Sequence, residues 1–258
     1  LETLHNRQVW DLGDRVCISQ NDFSPDGNIF IFVHADRRMY QEAVTRQHWE
    51  DHQAWRNTIP IVIGAIDIPT GQYRVVAELD YHVHHVIFLD QESVIVNHLR
   101  DGMGMWRLGL DGRDYGPLRP LDAHGSPCHQ AVTANGIWYE TINWNASPRT
   151  WLGRYDLATN TWREFPIPLD GYIHVGHDPA GLDAFFEING LQHELVRVRE
   201  PFDDAHRRFE TLCVFAPYPP HTGGQRYHAH PFLDPTRQWI FHTRVMDGIS
   251  QVAAIEWE

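Results

Sequence analysis

The residues best placed to do chemistry lie in "QRYHAHP", where Gln225, His228 and His230 set a carboxamide and two imidazoles within six positions. On a β-strand, residues i and i+2 point to one side. His228 and His230 would then face one ion together, with Tyr227 and Ala229 turned away. Imidazoles plus a carboxamide oxygen suit a borderline divalent ion such as Mn2+, Zn2+ or Ni2+. The chain holds 18 histidines in 258 residues, so the competing reading is simply two histidines of a histidine-rich protein. Recurrence in register separates the two readings. "YHVHHV" carries His82, His84 and His85, "SPCHQAV" carries His129, and "GYIHVGHD" carries His174 and His177. Each of these pieces opens a segment that runs on into an apolar stretch. His174 would complete the ligand set.

Such a site needs elements that bring distant segments together. Helical patterning is scarce, and "RRMYQEAVTRQHWEDHQAWRNT" predicts the one helix. Elsewhere short apolar runs such as "NIFIFVHA", "SVIVNHL", "GIWYETINW", "AFFEING" and "QWIFHTRV" are cut by Gly, Pro, Asn and Asp, which is a strand pattern. The runs repeat. Turn aspartates Asp67, Asp111 and Asp156 stand 44 and 45 positions apart (111 − 67 and 156 − 111). "FSPDG" opens the first repeat, and "LDPTRQW" holds the matching turn in the last. Five repeats of roughly 40 to 55 residues predict an all-β fold, a single β-propeller domain over residues 1–258. A sheet sandwich is the alternative, though sandwiches rarely keep so regular a period. The ring is either five-bladed or an incomplete seven-bladed one. In a propeller the first strand of each blade lines a central channel, so side chains at the repeat starts converge there. "LETLHNRQVWDL" would supply the strand that closes the ring against the last repeat.

Composition narrows the partners. A formal charge of −13 with a pI near 5.7 repels phosphate backbones and argues against nucleic acid. An acidic substrate would need a local cationic site. No stretch approaches the length of an apolar membrane span. Cys17, Cys128 and Cys213 are far apart and in no CxxC pair, which predicts no disulfide framework and a reducing compartment. The first residues carry no signal-peptide pattern, and the expected localisation is cytoplasmic. P-loop, GxGxxG and GxSxG motifs are absent from the sequence. Nothing in it speaks to oligomeric state.

At these residues the sequence resembles the oligogalacturonate lyase family, seven-bladed propellers that degrade short pectin fragments. "QRYHAHP" is similar to the family's Q-x-x-H-x-H-P element before its last blade. "SPCHQAVTANGIWY" resembles its Cys/Ser-x-His-led blade opening, and "YIHVGHDPAG" its further His followed by a turn. His129 and His174 are 45 positions apart (174 − 129), as the family spacing implies. The chain aligns with the family's last five blades. The resemblance implies that His174, Gln225, His228 and His230 bind one divalent ion, Mn2+ in the first place, with Zn2+ or Ni2+ as substitutes. It implies His129 as the base in a β-elimination on a short acidic oligosaccharide, an oligogalacturonate or related oligouronate. His85, His98 and Arg100 are the expected substrate contacts. One position departs. Gly104 stands where the family has an arginine two residues before a tryptophan, and Arg100 and Arg107 are its possible replacements. The departure keeps open a second reading, a non-catalytic propeller that binds an acidic sugar or a partner protein. Trp144 and Trp151 are either sugar-stacking residues at a channel mouth or blade packing.

Overall fold

The computed structural model describes residues 8–18, 21–41, 58–98, 104–119, 124–143, 146–168, 172–189, 193–215, 229–246 and 249–257. By contacts the chain divides into two compact units, Leu1–Leu121 and Asp122–Glu258, and each is taken by itself. The apolar runs form antiparallel sheets in both.

In the first unit, β1 (Arg15–Cys17), β2 (Asp22–Phe23), β3 (Ile29–Asp36), β4 (Ile61–Asp67) and β5 (Tyr73–Leu79) form one sheet, in which β1 and β2 both pair with β3. A second sheet runs β6 (Val83–Phe88), β7 (Ser93–His98), β8 (Gly104–Gly109) and β9 (Asp114–Arg119) in sequence order. The second unit holds two further four-stranded meanders. One is β10 (Ser126–Thr133), β11 (Gly136–Ile142), β12 (Thr150–Asp156) and β13 (Thr161–Pro166). The other is β14 (Tyr172–His177), β15 (Asp183–Asn189), β16 (His193–Arg199) and β17 (Arg208–Phe215). A three-stranded sheet of β18 (Phe232–Leu233), β19 (Trp239–Met246) and β20 (Ile249–Glu256) follows.

Aspartate side chains build the turns, because a short carboxylate can accept the amides two or three residues on. Asp67 Oδ1 takes Thr70 N at 2.8 Å, Asp111 Oδ1 takes Arg113 N at 2.9 Å, and Asp156 Oδ1 takes Ala158 N at 2.8 Å. Asp234 does the same for Thr236, Gln238 and Trp239. The repeat spacing read from the sequence is therefore a spacing of hairpin turns.

Side-chain alternation stacks the sheets. On β15, Phe186 packs with Trp138, Leu152 and Phe165 of the preceding sheet, while its neighbour Phe185 packs with Leu233 and Ile240 of the following one. A strand covered on both faces must be apolar almost throughout, which is why "GIWYE" and "DAFFE" show no alternation in sequence. In the first unit Ile31, Val33, Ile61 and Ile63 meet Val86, Phe88, Val94 and Val96 in the same way.

Two expectations change. Within the segment predicted helical, the described residues form one turn, Arg38–Gln41, and positions 42–57 lie outside the described residues. The proposed closing strand begins in residues 1–7, which also lie outside. Its remainder, residues 8–12, is not strand, and β1 pairs with β3 of its own sheet.

Candidate functional site

His129 sits on β10, at a β-bulge. Cys128 pairs with Glu140 and Ala131 pairs with Trp138, so His129 and Gln130 together oppose the single residue Tyr139. Bulges of this kind re-aim a side chain. The backbone at His129 accordingly adopts φ of 46°, a left-handed conformation unusual for a residue with a Cβ. The outcome is that two consecutive side chains, Cys128 and His129, reach the same partner. His129 Nδ1–H donates a short hydrogen bond to Glu140 Oε1, and Cys128 Sγ–H donates to the same oxygen at 3.3 Å. Glu140 is fully buried and its Oε2 meets no donor, while 14% of the His129 side chain remains exposed. Burial, and then the Glu140 carboxylate, push the Cys128 thiol well above its ordinary range, so it is a neutral donor and no thiolate nucleophile.

The next sheet props the bulge from behind. His177 on β14 donates from Nε2 to the backbone carbonyl of His129 at 3.2 Å. Burial drives His177 down to about 4, so its ring is neutral at ordinary pH, with one N–H to give.

His174 lies on the same strand, paired with Glu187 of β15; its side chain lies outside the described residues. Glu187 is fully buried, and its Oε2 accepts Ala229 N at 2.7 Å. Ala229 O in turn accepts Thr243 N at 2.6 Å. These bonds tie Ala229 of the HxHP element to β15, at the residue that pairs with His174, and to β19. Gly176 makes this close approach possible, since a Cβ there would overlap the Pro231 carbonyl. Gln225 and His228 lie outside the described residues. His230 is exposed, and its φ of 42° is left-handed. Ala229 and His230 are therefore not on a strand, because β18 begins only at Phe232. What holds Ala229 inward, at 0% exposure, is the Glu187 bond and not strand alternation.

The first unit has a related bulge. Val83 pairs with His98 and Val86 with Val96, leaving His84 and His85 opposite Asn97. His85 Nδ1 lies 3.4 Å from Asn97 Nδ2. The His98 side chain and all of Arg100 lie outside the described residues. Gly104 pairs with His98 on β8. A Cβ on Gly104 would stand 3.2 Å from Trp106 Nε1 and 3.3 Å from Arg119 O, so the indole occupies the room an arginine would leave through. Arg107 is no substitute. Its guanidinium bonds Ser93 Oγ and Asp90 Oδ2, each at 3.0 Å, and lies over the Tyr115 ring. Trp151 stacks on the His124 ring at 3.9 Å, a packing role; Trp144 lies outside the described residues. All three cysteines are free.

Sequence reasoning missed Glu140, Glu187 and Asn97. Each was visible as one polar residue inside an apolar run, and a buried charge needs partners to offset its desolvation. The run did not reveal which partners.

No family model matches the chain, and no curated protein matches it by sequence. Solved structures do. An oligogalacturonate lyase from Vibrio parahaemolyticus superposes with a TM-score of 0.77 at 15% identity, covering 99% of this chain and 70% of that one. An oligogalacturonate lyase in complex with manganese gives a TM-score of 0.76 at 14% identity, over 95% and 66% of the two chains. TolB from Acinetobacter baumannii gives 0.63 at 10% identity, over 96% and 53%. The chain shares the fold of these β-propeller proteins. It spans about two thirds of the length of the two lyases. At such identity the relationship is one of structure, and the activity has to be argued from the site.

Proposed function

We propose that the chain is a single propeller domain acting as a metal-dependent lyase on short oligouronates, oligogalacturonate first among them. The observation that carries this reading is His129. A bulge presents it, a buried carboxylate accepts a hydrogen bond from its Nδ1–H, and part of the ring stays open to a ligand. In that tautomer Nε2 holds a lone pair, as a general base must. His129 Nε2 would take the C5 proton of a uronate, and O4 would leave to give a 4,5-unsaturated ring. The metal ligands are His174, Gln225, His228 and His230, and the buried Glu187 that ties Ala229 opposite His174 fits that assignment. An ion held there, Mn2+ in the first place, would neutralise the uronate carboxylate that otherwise opposes proton removal from C5. His85, His98 and Arg100 are proposed as substrate contacts. The chain would work in the cytoplasm, without nucleic acid or membrane.

The test follows the ultraviolet absorbance of the unsaturated product on a panel of oligouronates. The wild type is expected to produce it. His129→Ala is expected to lose about 10²- to 10⁴-fold in kcat while keeping its metal, and His230→Ala to lose the metal. A metal-replete wild type that yields no product on any uronate would overturn the lyase reading.

A second reading rests on Gly104 and the Trp106 indole beside it, which leave the family arginine without a counterpart. It is a propeller that binds an acidic sugar or a partner protein without turnover. Binding of oligogalacturonate by wild type and His129→Ala alike, with product from neither, would favour it.

A further inference from the structure

Glu140 is at odds with its surroundings. It stands at 0% exposure between Trp138, Tyr139 and Thr141, which are equally buried. Its Oε1 receives two donors and its Oε2 none. A half-satisfied buried carboxylate costs stability, and an apolar side chain of similar volume would fill the place without that cost. Packing therefore gives no reason for a carboxylate, but the ring beside it does. A neutral imidazole carries its proton on either nitrogen, and the hydrogen bond to one nitrogen decides which. In the first unit the contact to a bulge histidine has the opposite polarity, with Asn97 Nδ2 donating to His85 Nδ1.

We propose that Glu140 is a positioning residue for His129, a role that rests on the lyase reading above. It holds the proton of neutral His129 on Nδ1 and so leaves the Nε2 lone pair to act. When Nε2 takes the C5 proton, the C–H electron pair becomes the C4–C5 double bond, and the C4–O4 pair leaves on O4, which takes a proton from water. The imidazolium that results keeps its Nδ1–H on a carboxylate that is already in place. Cys128 donates to the same oxygen and fixes the rotamer of the carboxylate. His177 fixes the bulge, and with it the direction of the ring. The alternative use of the same atoms is a metal site, since Cys128, His129 and Glu140 offer ligand atoms within 4.8 Å of one another.

The experiment reads the ring nitrogens of His129 by 15N NMR of histidine-labelled protein, with the signal assigned by its loss in His129→Ala. Wild type is expected to show the proton on Nδ1. Because Oε2 has no partner, Glu140→Gln can turn its amide nitrogen there and keep an acceptor on His129. It should retain the Nδ1–H form, with kcat down about 10- to 100-fold and KM little changed. Glu140→Leu should release the proton to Nε2 and lower kcat by about 10²-fold or more. A wild-type His129 protonated on Nε2 would overturn the proposal. So would an Nδ1–H form that survives in Glu140→Leu, or the replacement of that proton by a metal bond when Zn2+ is added. The tautomer is read without turnover. If wild type cleaves no uronate, the lyase reading falls on its own, and the nitrogen shifts still decide what Glu140 does.

Discussion

At the scale of single residues, the site is organised by buried carboxylates that face histidine-bearing strands. Glu140 takes the His129 ring and Glu187 takes the amide of Ala229, between the two histidines of the HxH element. Replacing Glu187 by alanine leaves that buried N–H without an acceptor, which costs about 1–3 kcal/mol. It also frees the segment carrying the proposed metal ligands His228 and His230. Calorimetric titration with Mn2+ should show affinity weakened by about 10- to 100-fold; unchanged affinity would separate Glu187 from the metal. The histidines themselves were legible in sequence because they recur at the repeat starts. Their carboxylate partners were not. Glu140 and Cys128 are joined by cross-strand pairing, and pairing register is a property of two strands that neither displays alone.

At the scale of elements, two irregularities place the site. The bulge on β10 turns consecutive side chains to one partner, and the left-handed residue His230 stands two residues before β18 begins. Ala229 is buried and His230 exposed outside any strand, and the bond from Ala229 N to Glu187 takes the place that strand alternation was expected to fill. Strand β8 makes a sharper prediction. Restoring an arginine at Gly104 brings a Cβ against the Trp106 indole and the Arg119 carbonyl. Gly104→Arg should lose about 1–3 kcal/mol in urea unfolding, and Trp106→Ala in the same chain should recover part of it. Equal stability of Gly104→Arg and wild type would mean that the indole is not what fills the place.

At the scale of the whole molecule, the period of the turn aspartates made the five sheets readable, since each hairpin needs an amide acceptor at a fixed offset. Stability should depend on pH in both units. Burial holds His34 in the first and His177 in the second down to about 4, against an ordinary 6.5. Between these values the unfolded chain binds protons that the folded chain refuses. Each histidine's contribution, up to about 3 kcal/mol, is therefore complete above pH 6.5 and is lost as pH falls through 4. Urea unfolding followed from pH 7 to pH 4 should show that decline, and a His177→Asn variant should show a shallower one. A flat profile would mean that these rings reach solvent.

The proposed lyase needs both an ion and a base, and one titration checks that pairing. Protein stripped with a chelator is returned to Mn2+ in steps while oligogalacturonate turnover is followed through its unsaturated product. No product is expected without the ion, and with it a rise that saturates at one ion per chain. Product formed at full rate by stripped protein, or none at saturating Mn2+, would contradict it.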